Sequence, residues 1–365
     1  MDLPAMDVAG RVPRLRAGIA AAEIDALLVT RLPNVRYLTG FTGSAGMLLV
    51  LGEGAVFVTD GRYREQATEQ LGGAGVAAAV EIGATEAAQR DAFAAAVAAL
   101  SPSRLGLEAE GVTWAQQRAF ASEWFPDLDL VPTTGLIEGL RIVKEPGEVA
   151  RVRAACHIAD EALAEVLPSL AARPTERDFA LRLEFAMRER GASAVSFDPI
   201  VASGPQGAKP HARPSDRRVE PNELVVIDFG CIVDGYCSDM TRTVSVGDPG
   251  PDARRVWDTV LAAQAAGCDA VAGGVECAAV DRASRDVINQ AGWGDAFVHG
   301  TGHGVGIEIH EAPRVAATAG GTLDVGHVVT VEPGVYLPGV GGVRIEDTLV
   351  VTSDGSVALT EFPKE

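Results

Sequence analysis

The segment LVVIDFGCIVDGYCSDMTRTV, residues 224–244, contains two runs rich in β-branched residues on either side of Asp234-Gly235. An Asp-Gly pair between two such runs predicts a β-hairpin with a two-residue turn. With this pair at the centre of the turn, the numbers of facing residues add to 469, as 234 and 235 do. Asp228 then opposes Thr241, and Asp239 lies one pair away on the same face. The register predicts that the two aspartates are diagonal neighbours, with Cα atoms about 7–8 Å apart.

Two carboxylates on one face of this hairpin require compensation if the face is buried. Buried carboxylates raise each other's pKa unless a cation lies nearby, and a divalent metal between Asp228 and Asp239 would supply that cation. The alternative is that the face is exposed and the carboxylates are hydrated. The apolar run Leu224–Ile227 is typical of a strand buried on both faces, and it favours the metal hypothesis.

A second segment, HGTGHGVGIEIHE at residues 299–311, contains three of the six histidines of the chain. Its alternating glycines permit close backbone approach. A lone histidine is more often a structural residue, but three in one glycine-rich loop favour a functional site. The glycines match neither GxxxxGK[ST] nor GxGxxG after a strand, so we exclude a nucleotide loop. The triplet Asp228-Phe229-Gly230 lacks the companion motifs of a kinase.

Two further carboxylates interrupt β-rich runs near the end of the sequence. These are Glu332 in VTVEPGVY, residues 329–336, and Glu346 in GVRIEDT, residues 342–348. Glutamate is unfavourable as filler in a strand, although each alone could be an edge charge. Arg344 and Glu346 share a strand face by the period of two, which places a cation beside the second glutamate.

The length of 365 residues indicates two domains, which we place at residues 1–143 and 144–365. In the first, strands are predicted at 26–30, 47–51, 55–59 and 104–107, with helices at 63–71 and 85–100, which indicates an α/β domain with a mixed sheet. In the second, helices at 146–170, 176–190, 251–271 and 278–291 alternate in blocks with strands. This arrangement is typical of an α+β domain with an antiparallel sheet.

The net charge of −19 argues against a nucleic-acid partner and against binding to an anionic membrane, because both depend on basic residues. The longest apolar stretch, 92–100, is far shorter than the roughly 20 residues of a membrane helix. Five scattered cysteines without a CxxC pair indicate reduced thiols. We therefore expect a soluble cytoplasmic protein.

The four segments, in this order, resemble the pita-bread-fold metallopeptidases, in particular aminopeptidase P and prolidase. The N-terminal segments NVRYLTGFTGS, residues 34–44, and TDGRY, residues 59–63, resemble the smaller creatinase-type domain of the same peptidases. The resemblance covers essentially the whole chain. It implies an α/β creatinase-type domain followed by a pita-bread domain with a curved antiparallel sheet and two helix pairs.

The resemblance also implies the activity and the roles of the site residues. The expected reaction is hydrolysis of the bond between an N-terminal residue and a following proline. In the family pattern Asp228 binds one metal, Asp239 and Glu346 bridge, and His303 and Glu332 complete the other site. Glu332 would also carry a proton between water and the leaving nitrogen. His211, His299 and His310 would bind the substrate and act in catalysis by stabilising the tetrahedral intermediate. Tyr336 and Arg344 would bind the substrate and orient substrate or ligands.

The residue chemistry is consistent with this assignment. Four carboxylates offset the charge of two divalent ions and leave a bridging water acidified to hydroxide at neutral pH. Oxygen-rich ligation with one histidine and no thiolate suits Mn²⁺ or Co²⁺ better than structural Zn²⁺, and availability favours manganese. The expected partners are proline-containing dipeptides or oligopeptides, together with a second copy of the chain in a homodimer.

Two other functions remain open from the sequence. A methionine aminopeptidase resembles the C-terminal domain and uses the same types of ligand, but the long N-terminal domain argues against it. A non-catalytic peptide-binding relative of the fold would lack the ligand set that is present here. Cleavage of dipeptides only, as in prolidase, and cleavage of longer peptides, as in aminopeptidase P, are not distinguished by the sequence.

Overall fold

A computed structural model describes residues 3–100 and 102–364 of the chain. The described residues form two compact units. The N-terminal unit is Ala5–Arg141, and the C-terminal unit begins at Ile142 and also includes Pro4. Each unit has its own buried apolar core, so each is described separately below.

The N-terminal unit contains a six-stranded mixed sheet in the order β4-β3-β2-β1-β5-β6. The β1–β2 and β2–β3 pairs are antiparallel, and the other three pairs are parallel. The four predicted strands and the mixed sheet are confirmed, whereas β4 and β6 were not predicted. The strands are β1 Ala26–Val29, β2 Met47–Leu51, β3 Ala55–Thr59, β4 Ala79–Ile82, β5 Arg104–Glu108 and β6 Asp129–Thr133.

The predicted helices of this unit correspond to α3 and α4, and short helices join the remaining strands. α2 ends at Gly40, whose φ of 74° is the left-handed conformation that glycine adopts at low cost. α5 begins with a capping box between Thr113 and Gln116. The helices are α1 Arg11–Ala21, α2 Leu32–Thr39, α3 Arg64–Gly73, α4 Glu86–Leu100, α5 Trp114–Ala119 and α6 Glu138–Arg141.

Four long helices of the C-terminal unit confirm the predicted helix pairs. The first begins at Pro146, after a capping box between Glu145 and Glu148. Proline at the first helical position lacks only an N–H that has no partner in the helix. Three short 3₁₀ segments, 167–172, 204–208 and 294–296, lie between the main elements. The helices are α7 Pro146–Val166, α8 Glu176–Glu189, α9 Pro251–Ala270 and α10 Cys277–Gln290.

Every strand pair described in the C-terminal unit is antiparallel, as predicted. The sheets follow the orders β12-β9-β8, β11-β10-β7, β14-β13-β15-β18-β19 and β16-β17. The first strands are β7 Ala194–Val195, β8 Ile200–Ser203, β9 Glu223–Phe229, β10 Cys231–Val233, β11 Tyr236–Cys237 and β12 Met240–Val246. The later ones are β13 Gly302–Gly304, β14 Glu311–Val315, β15 Val328–Val331, β16 Gly334–Leu337, β17 Gly341–Arg344, β18 Asp347–Thr352 and β19 Gly355–Ala358.

The hairpin has the predicted register, with Asp228 opposite Thr241 and Val233 opposite Tyr236. It is interrupted at Gly230, where a Cβ would overlap the carbonyl oxygen of Ser238. The hairpin strands and the helices α7 and α8 bury one apolar cluster between them. Within the described residues, no helix combines the length and hydropathy required to cross a lipid bilayer.

Candidate metal centre

Nine of the ten candidate site residues line one cleft of about 800 Å³ in the C-terminal unit. The tenth, Tyr336, lies behind it and contacts two of the lining side chains. The cleft therefore brings together residues that are more than one hundred positions apart in the sequence. The nine lining residues are His211, Asp228, Asp239, His299, His303, His310, Glu332, Arg344 and Glu346.

Three of the five expected ligands form a tight group. One oxygen each of Asp239 and Glu346 and one ring nitrogen of His303 lie within 4.8 Å of one another. Glu332 is adjacent, because its Oε1 lies 3.4 Å from Nε2 of His303. Asp228 lines the same cleft and bonds to the guanidinium of Arg344.

The hairpin positions the two aspartates and connects them to Glu346. Thr241, which faces Asp228 across the hairpin, donates from Oγ1 to Oε2 of Glu346 over 2.6 Å. Asp239 immediately precedes β12, and its main-chain carbonyl accepts a 2.8 Å bond from Oγ1 of Thr348. These bonds join the hairpin to the end of β17 and the beginning of β18.

The two glutamates lie where β-runs stop. Glu332 follows β15 and precedes Pro333, which has no N–H to continue a ladder. Its own N–H donates to the carbonyl of Thr301 over 2.7 Å. Glu346 lies between β17 and β18, and its N–H donates to the carbonyl of Thr241 over 3.1 Å. A carboxylate at such a break points into the cleft without interrupting the ladder.

The geometry around His303 determines which ring nitrogen faces the carboxylates. Nδ1 lies 3.0 Å from the carbonyl oxygen of Gly304, which can only accept, so Nδ1 carries the proton in the neutral ring. Nε2 then presents its lone pair 3.5 Å from Oδ2 of Asp239. Burial lowers the pKa of His303, which favours the neutral ring. This is the tautomer that a metal-binding histidine requires.

Electrostatic repulsion in the cleft is strong. Burial, followed by the charges of the neighbouring carboxylates, raises the pKa values of Asp239 and Glu346 well above the ordinary range. Burial also raises the pKa of Glu332 to about 8, although Arg344 acts in the opposite direction. A cation placed among these groups would offset the repulsion.

These observations show that the residues fit a divalent cation. Oδ1 of Asp228 is buried and has no hydrogen-bond partner among the described residues. A buried carboxylate oxygen of this kind carries an uncompensated desolvation cost. The clustered donors are carboxylate oxygens and one imidazole nitrogen, with no thiolate, which suits Mn²⁺ and related ions.

Arg344 is a buried cation that holds several parts of the cleft. It donates to the Tyr336 hydroxyl over 2.7 Å, to Thr241 Oγ1 over 3.0 Å and to the carbonyl of Pro210 over 3.2 Å, besides its bond to Asp228. Burial raises the pKa of Tyr336 to about 12, so this phenol stays protonated at neutral pH. The position of Arg344 beside Glu346 was expected, whereas its bond to Asp228 was not.

The three candidate substrate histidines differ in their surroundings. His211 is exposed in the cleft. His310 packs edge to face against His303, with ring centroids 4.4 Å apart. Both nitrogens of His299 are occupied, since Nδ1 lies 2.7 Å from the carbonyl of Gly300 and Nε2 lies 2.8 Å from the hydroxyl of Tyr336. Burial lowers the pKa of His299 to about 4, so its ring is neutral.

The loop before β14 is fixed by a buried ion pair. Lys144 Nζ lies 3.1 Å from Oε2 of Glu311, and these side chains are 1% and 6% exposed. Glu311 follows His310 directly and also accepts a 3.0 Å bond from the N–H of Glu308. The ion pair therefore anchors the chain next to His310.

Several residues that line the cleft or support its lining from behind were not anticipated. Thr241 could have been found from the hairpin register, because it faces Asp228. Thr330 donates to Glu332 over 3.3 Å and accepts from the N–H of His303 over 3.1 Å. Arg213 and Arg314 line the cleft as exposed cations, and no sequence pattern distinguished them from other surface arginines.

The chain matches two family models in consecutive regions. Residues 150–353 match metallopeptidase family M24, and residues 11–143 match the creatinase/prolidase N-terminal domain. An Xaa-Pro dipeptidase of Pyrococcus horikoshii is 35% identical over 347 residues, which are 94% of this chain and 94% of that protein.

Solved structures give the same picture. An Xaa-Pro dipeptidase from Bacillus anthracis superimposes with a TM-score of 0.93 at 40% identity, covering 98% of this chain and 99% of that one. An X-Pro aminopeptidase from Thermotoga maritima superimposes with a TM-score of 0.87 at 34% identity, covering 96% and 99%. The similarity therefore extends over both units of the chain.

Proposed function

The chain belongs to metallopeptidase family M24, with a creatinase/prolidase N-terminal domain, and from this premise we propose that it hydrolyses the bond between an N-terminal residue and a following proline. The observation that carries the proposal is the set of four carboxylates and one histidine in a single cleft. Full-length relatives named Xaa-Pro dipeptidase support the choice of substrate. We assign residues 1–143 to the N-terminal domain and 144–365 to the catalytic domain.

The proposed ligands of two divalent cations are Asp228, Asp239, His303, Glu332 and Glu346. Divalent cations bound there would acidify water and polarise a peptide carbonyl. We propose manganese, with cobalt or zinc as alternatives, because the donors are mostly carboxylate oxygens. Arg344 and Thr241 would hold Asp228 and Glu346 in place through the hydrogen bonds described above.

Glu332 is the proposed proton carrier. Its carboxyl is largely buried, with 18% of the side chain exposed, and its pKa is raised to about 8 by that burial. A nearby cation would lower this pKa again. A carboxyl that titrates close to neutrality can accept a proton from water and deliver it to the leaving nitrogen.

The histidines of the cleft supply hydrogen-bonding groups for the substrate. We propose that His211 and His310 bind the peptide and the developing oxyanion, since both are exposed in the cleft. We propose that His299 binds the substrate as an acceptor, because its Nδ1 faces the carbonyl of Gly300 and Nε2 of the neutral ring has a lone pair. Nε2 would first have to release the hydroxyl of Tyr336. In the bonded state, Tyr336 and Arg344 form the wall behind the substrate.

Two arginines of the cleft favour a short substrate. Arg213 and Arg314 line the cleft, and a guanidinium binds a terminal carboxylate well. A dipeptide presents that carboxylate directly after its proline, whereas a longer peptide does not. We therefore propose a preference for Xaa-Pro dipeptides over longer substrates.

The N-terminal domain separates this proposal from a methionine aminopeptidase, which resembles the C-terminal domain alone. The intact set of candidate ligands separates it from a non-catalytic peptide-binding relative. We also propose a homodimer, and a cytoplasmic location because all five cysteines are free thiols.

A substrate panel tests the proposal. Protein treated with chelator and reconstituted with Mn²⁺ is assayed on Ala-Pro, Ala-Pro-Ala, Ala-Ala and Met-Ala. We expect Ala-Pro to be cleaved fastest, Ala-Pro-Ala more slowly, and the peptides without proline hardly at all. Preferential cleavage of Met-Ala would refute the proposal, and equal rates on the two proline peptides would refute the dipeptide preference.

A further inference from the structure

Arg242 is a buried cation on the side of β12 that faces away from the cleft. Its side chain is 1% exposed, and the residue pairs with Ile227 in the hairpin. Successive residues of a strand point to opposite faces. Thr241 therefore reaches Glu346 from the cleft side, and Arg242 lies behind the same strand.

The guanidinium of Arg242 holds the backbone of Glu346. Nη1 donates to the main-chain carbonyl of Glu346 and, over 3.0 Å, to that of Thr241. Nη2 donates to Oδ1 of Asp347 over 2.9 Å. Glu346 thus accepts a hydrogen bond from Thr241 at its carboxylate and one from Arg242 at its main-chain carbonyl.

The same guanidinium binds a segment near the end of the sequence, residues 360–364, which we call the strap. Nη2 donates to the carbonyl of Phe362 over 2.6 Å, and Nε donates to the carbonyl of Pro363 over 3.2 Å. One side chain therefore joins the hairpin, the segment at Glu346 between β17 and β18, and the strap. A planar guanidinium with five N–H groups can do this, whereas an ammonium cannot match the geometry.

The strap has anchors of its own, and two of them lie on Asp347. Lys364 Nζ lies 2.6 Å from Oδ2 of Asp347 and 2.7 Å from Oε1 of Gln264. Thr360 Oγ1 donates to Oδ1 of Asp347 over 2.9 Å. The N–H of Glu361 donates to Asp160 over 2.8 Å. Asp347 follows Glu346 directly, so the strap is fixed to the residue next to a proposed ligand.

We propose that Arg242 and the strap are positioning elements of the metal centre, which fix the backbone of Glu346 so that its carboxylate stays beside Asp239 and His303. The inference rests on the proposed function, because it takes Glu346 as a ligand. Groups that orient ligands from behind commonly contribute about 10- to 100-fold to metal affinity. Neither Arg242 nor the strap lines the cleft.

The test uses full-length, chelator-treated variants titrated with Mn²⁺ by calorimetry. Arg242→Lys keeps the charge but loses the fork of donors, and Lys364→Ala removes one anchor of the strap. Arg254→Lys is the matched control, since Arg254 is exposed and pairs with Asp258 on α9. We expect Arg242→Lys to weaken at least one Mn²⁺ site by about 10- to 100-fold, Lys364→Ala to weaken it less, and the control to match wild type.

A second readout separates positioning from a general loss of stability. At saturating Mn²⁺ the kcat of Arg242→Lys on Ala-Pro should recover toward wild type with an unchanged KM. A lower unfolding temperature of the metal-free variants combined with a wild-type Kd for Mn²⁺ would overturn the inference and leave the proposed function standing. A wild-type protein that binds no Mn²⁺ would overturn both.

Discussion

The side chain of His303 shows how single residues determine the chemistry of the cleft. Its Nδ1 is committed to the carbonyl of Gly304, so Nε2 faces Asp239 and Glu332 with a lone pair. Burial keeps the ring neutral by lowering its pKa. The same burial raises the pKa values of Glu332, Asp239 and Glu346. Burial in one low-dielectric cleft therefore lowers the pKa of the histidine and raises the pKa values of the three carboxyl groups.

These shifts predict how the stability of metal-free protein depends on pH. The pKa of Glu332 is raised from 4.5 to about 8, so the folded state holds a proton that the unfolded chain releases. The proton on Glu332 therefore adds to the free energy of unfolding. This stabilisation is complete below about pH 4.5 and is lost as the pH rises through about 8. Asp239 and Glu346 act in the same direction. His299, whose pKa is lowered from 6.5 to about 4, acts in the opposite direction, but only below about pH 6.5.

The unfolding temperature of chelator-treated protein should therefore fall between about pH 6.5 and pH 8.5, by about 2–4 °C for each kcal/mol lost. Differential scanning calorimetry in a pH series measures this slope. Glu332→Gln should make the fall of the unfolding temperature with pH smaller, and added Mn²⁺ should also make it smaller. A stability that rises over this interval would contradict the assigned pKa shifts.

At the scale of elements, the short strand β13 carries His303 between two glycines. A Cβ on Gly302 would overlap the carbonyl oxygen of Thr330, and one on Gly304 would overlap that of Ala312. The pattern Gly-His-Gly thus allows β13 to lie close against β14 and β15. Close packing of these strands brings His303 within reach of Glu332.

Gly302→Ala should therefore separate β13 from β15. Overpacking of this kind costs about 1–3 kcal/mol, and displacement of His303 should also weaken Mn²⁺ binding. Gly320→Ala is the control, because a Cβ at Gly320 meets no atom within 4 Å. Thermal unfolding and Mn²⁺ titration of both variants measure the two effects. Equal unfolding temperatures and equal Mn²⁺ affinities for Gly302→Ala and the control would show that β13 tolerates a side chain at this position.

Strong local patterns made many of these elements predictable from the sequence. The Asp234-Gly235 turn determined the hairpin register, and proline with acidic residues marked the start of α7. Strand β4 was missed because its AVEI segment is short and partly exposed, so it lacks the apolar run of a buried strand. The strap could not be predicted, since Arg242 reaches Phe362 across 120 positions of the sequence. The common cleft depends on equally distant contacts, such as Thr241 with Glu346, 105 positions apart.

At the scale of the whole molecule, a chain with a net charge of −19 places six carboxylates, including the four proposed carboxylate ligands, along one cleft. A divalent cation is attracted to such a field, whereas nucleic acid is repelled. Two family models together span both units of the chain. The acidic surface and the cleft are therefore compatible with a metal-loaded peptidase that acts on small peptides.

The proposed homodimer is a prediction at this scale. Sedimentation equilibrium at micromolar concentration should give twice the 37.9 kDa of one chain. Two-fold dimers are the commonest oligomers of soluble proteins. A mass that stays at one chain across a tenfold dilution series would contradict the prediction without affecting the assignment of the cleft.

The most direct test of the central claim is to count metal ions and measure hydrolysis in the same samples. Wild type and Glu346→Ala are stripped with chelator, reconstituted with Mn²⁺, desalted and analysed by mass spectrometry for metal content, alongside an Ala-Pro assay. We predict two Mn²⁺ per wild-type chain, and for Glu346→Ala the loss of at least one ion together with hydrolysis. Wild-type cleavage by Glu346→Ala, or by a wild-type protein that retains no divalent ion, would contradict the account.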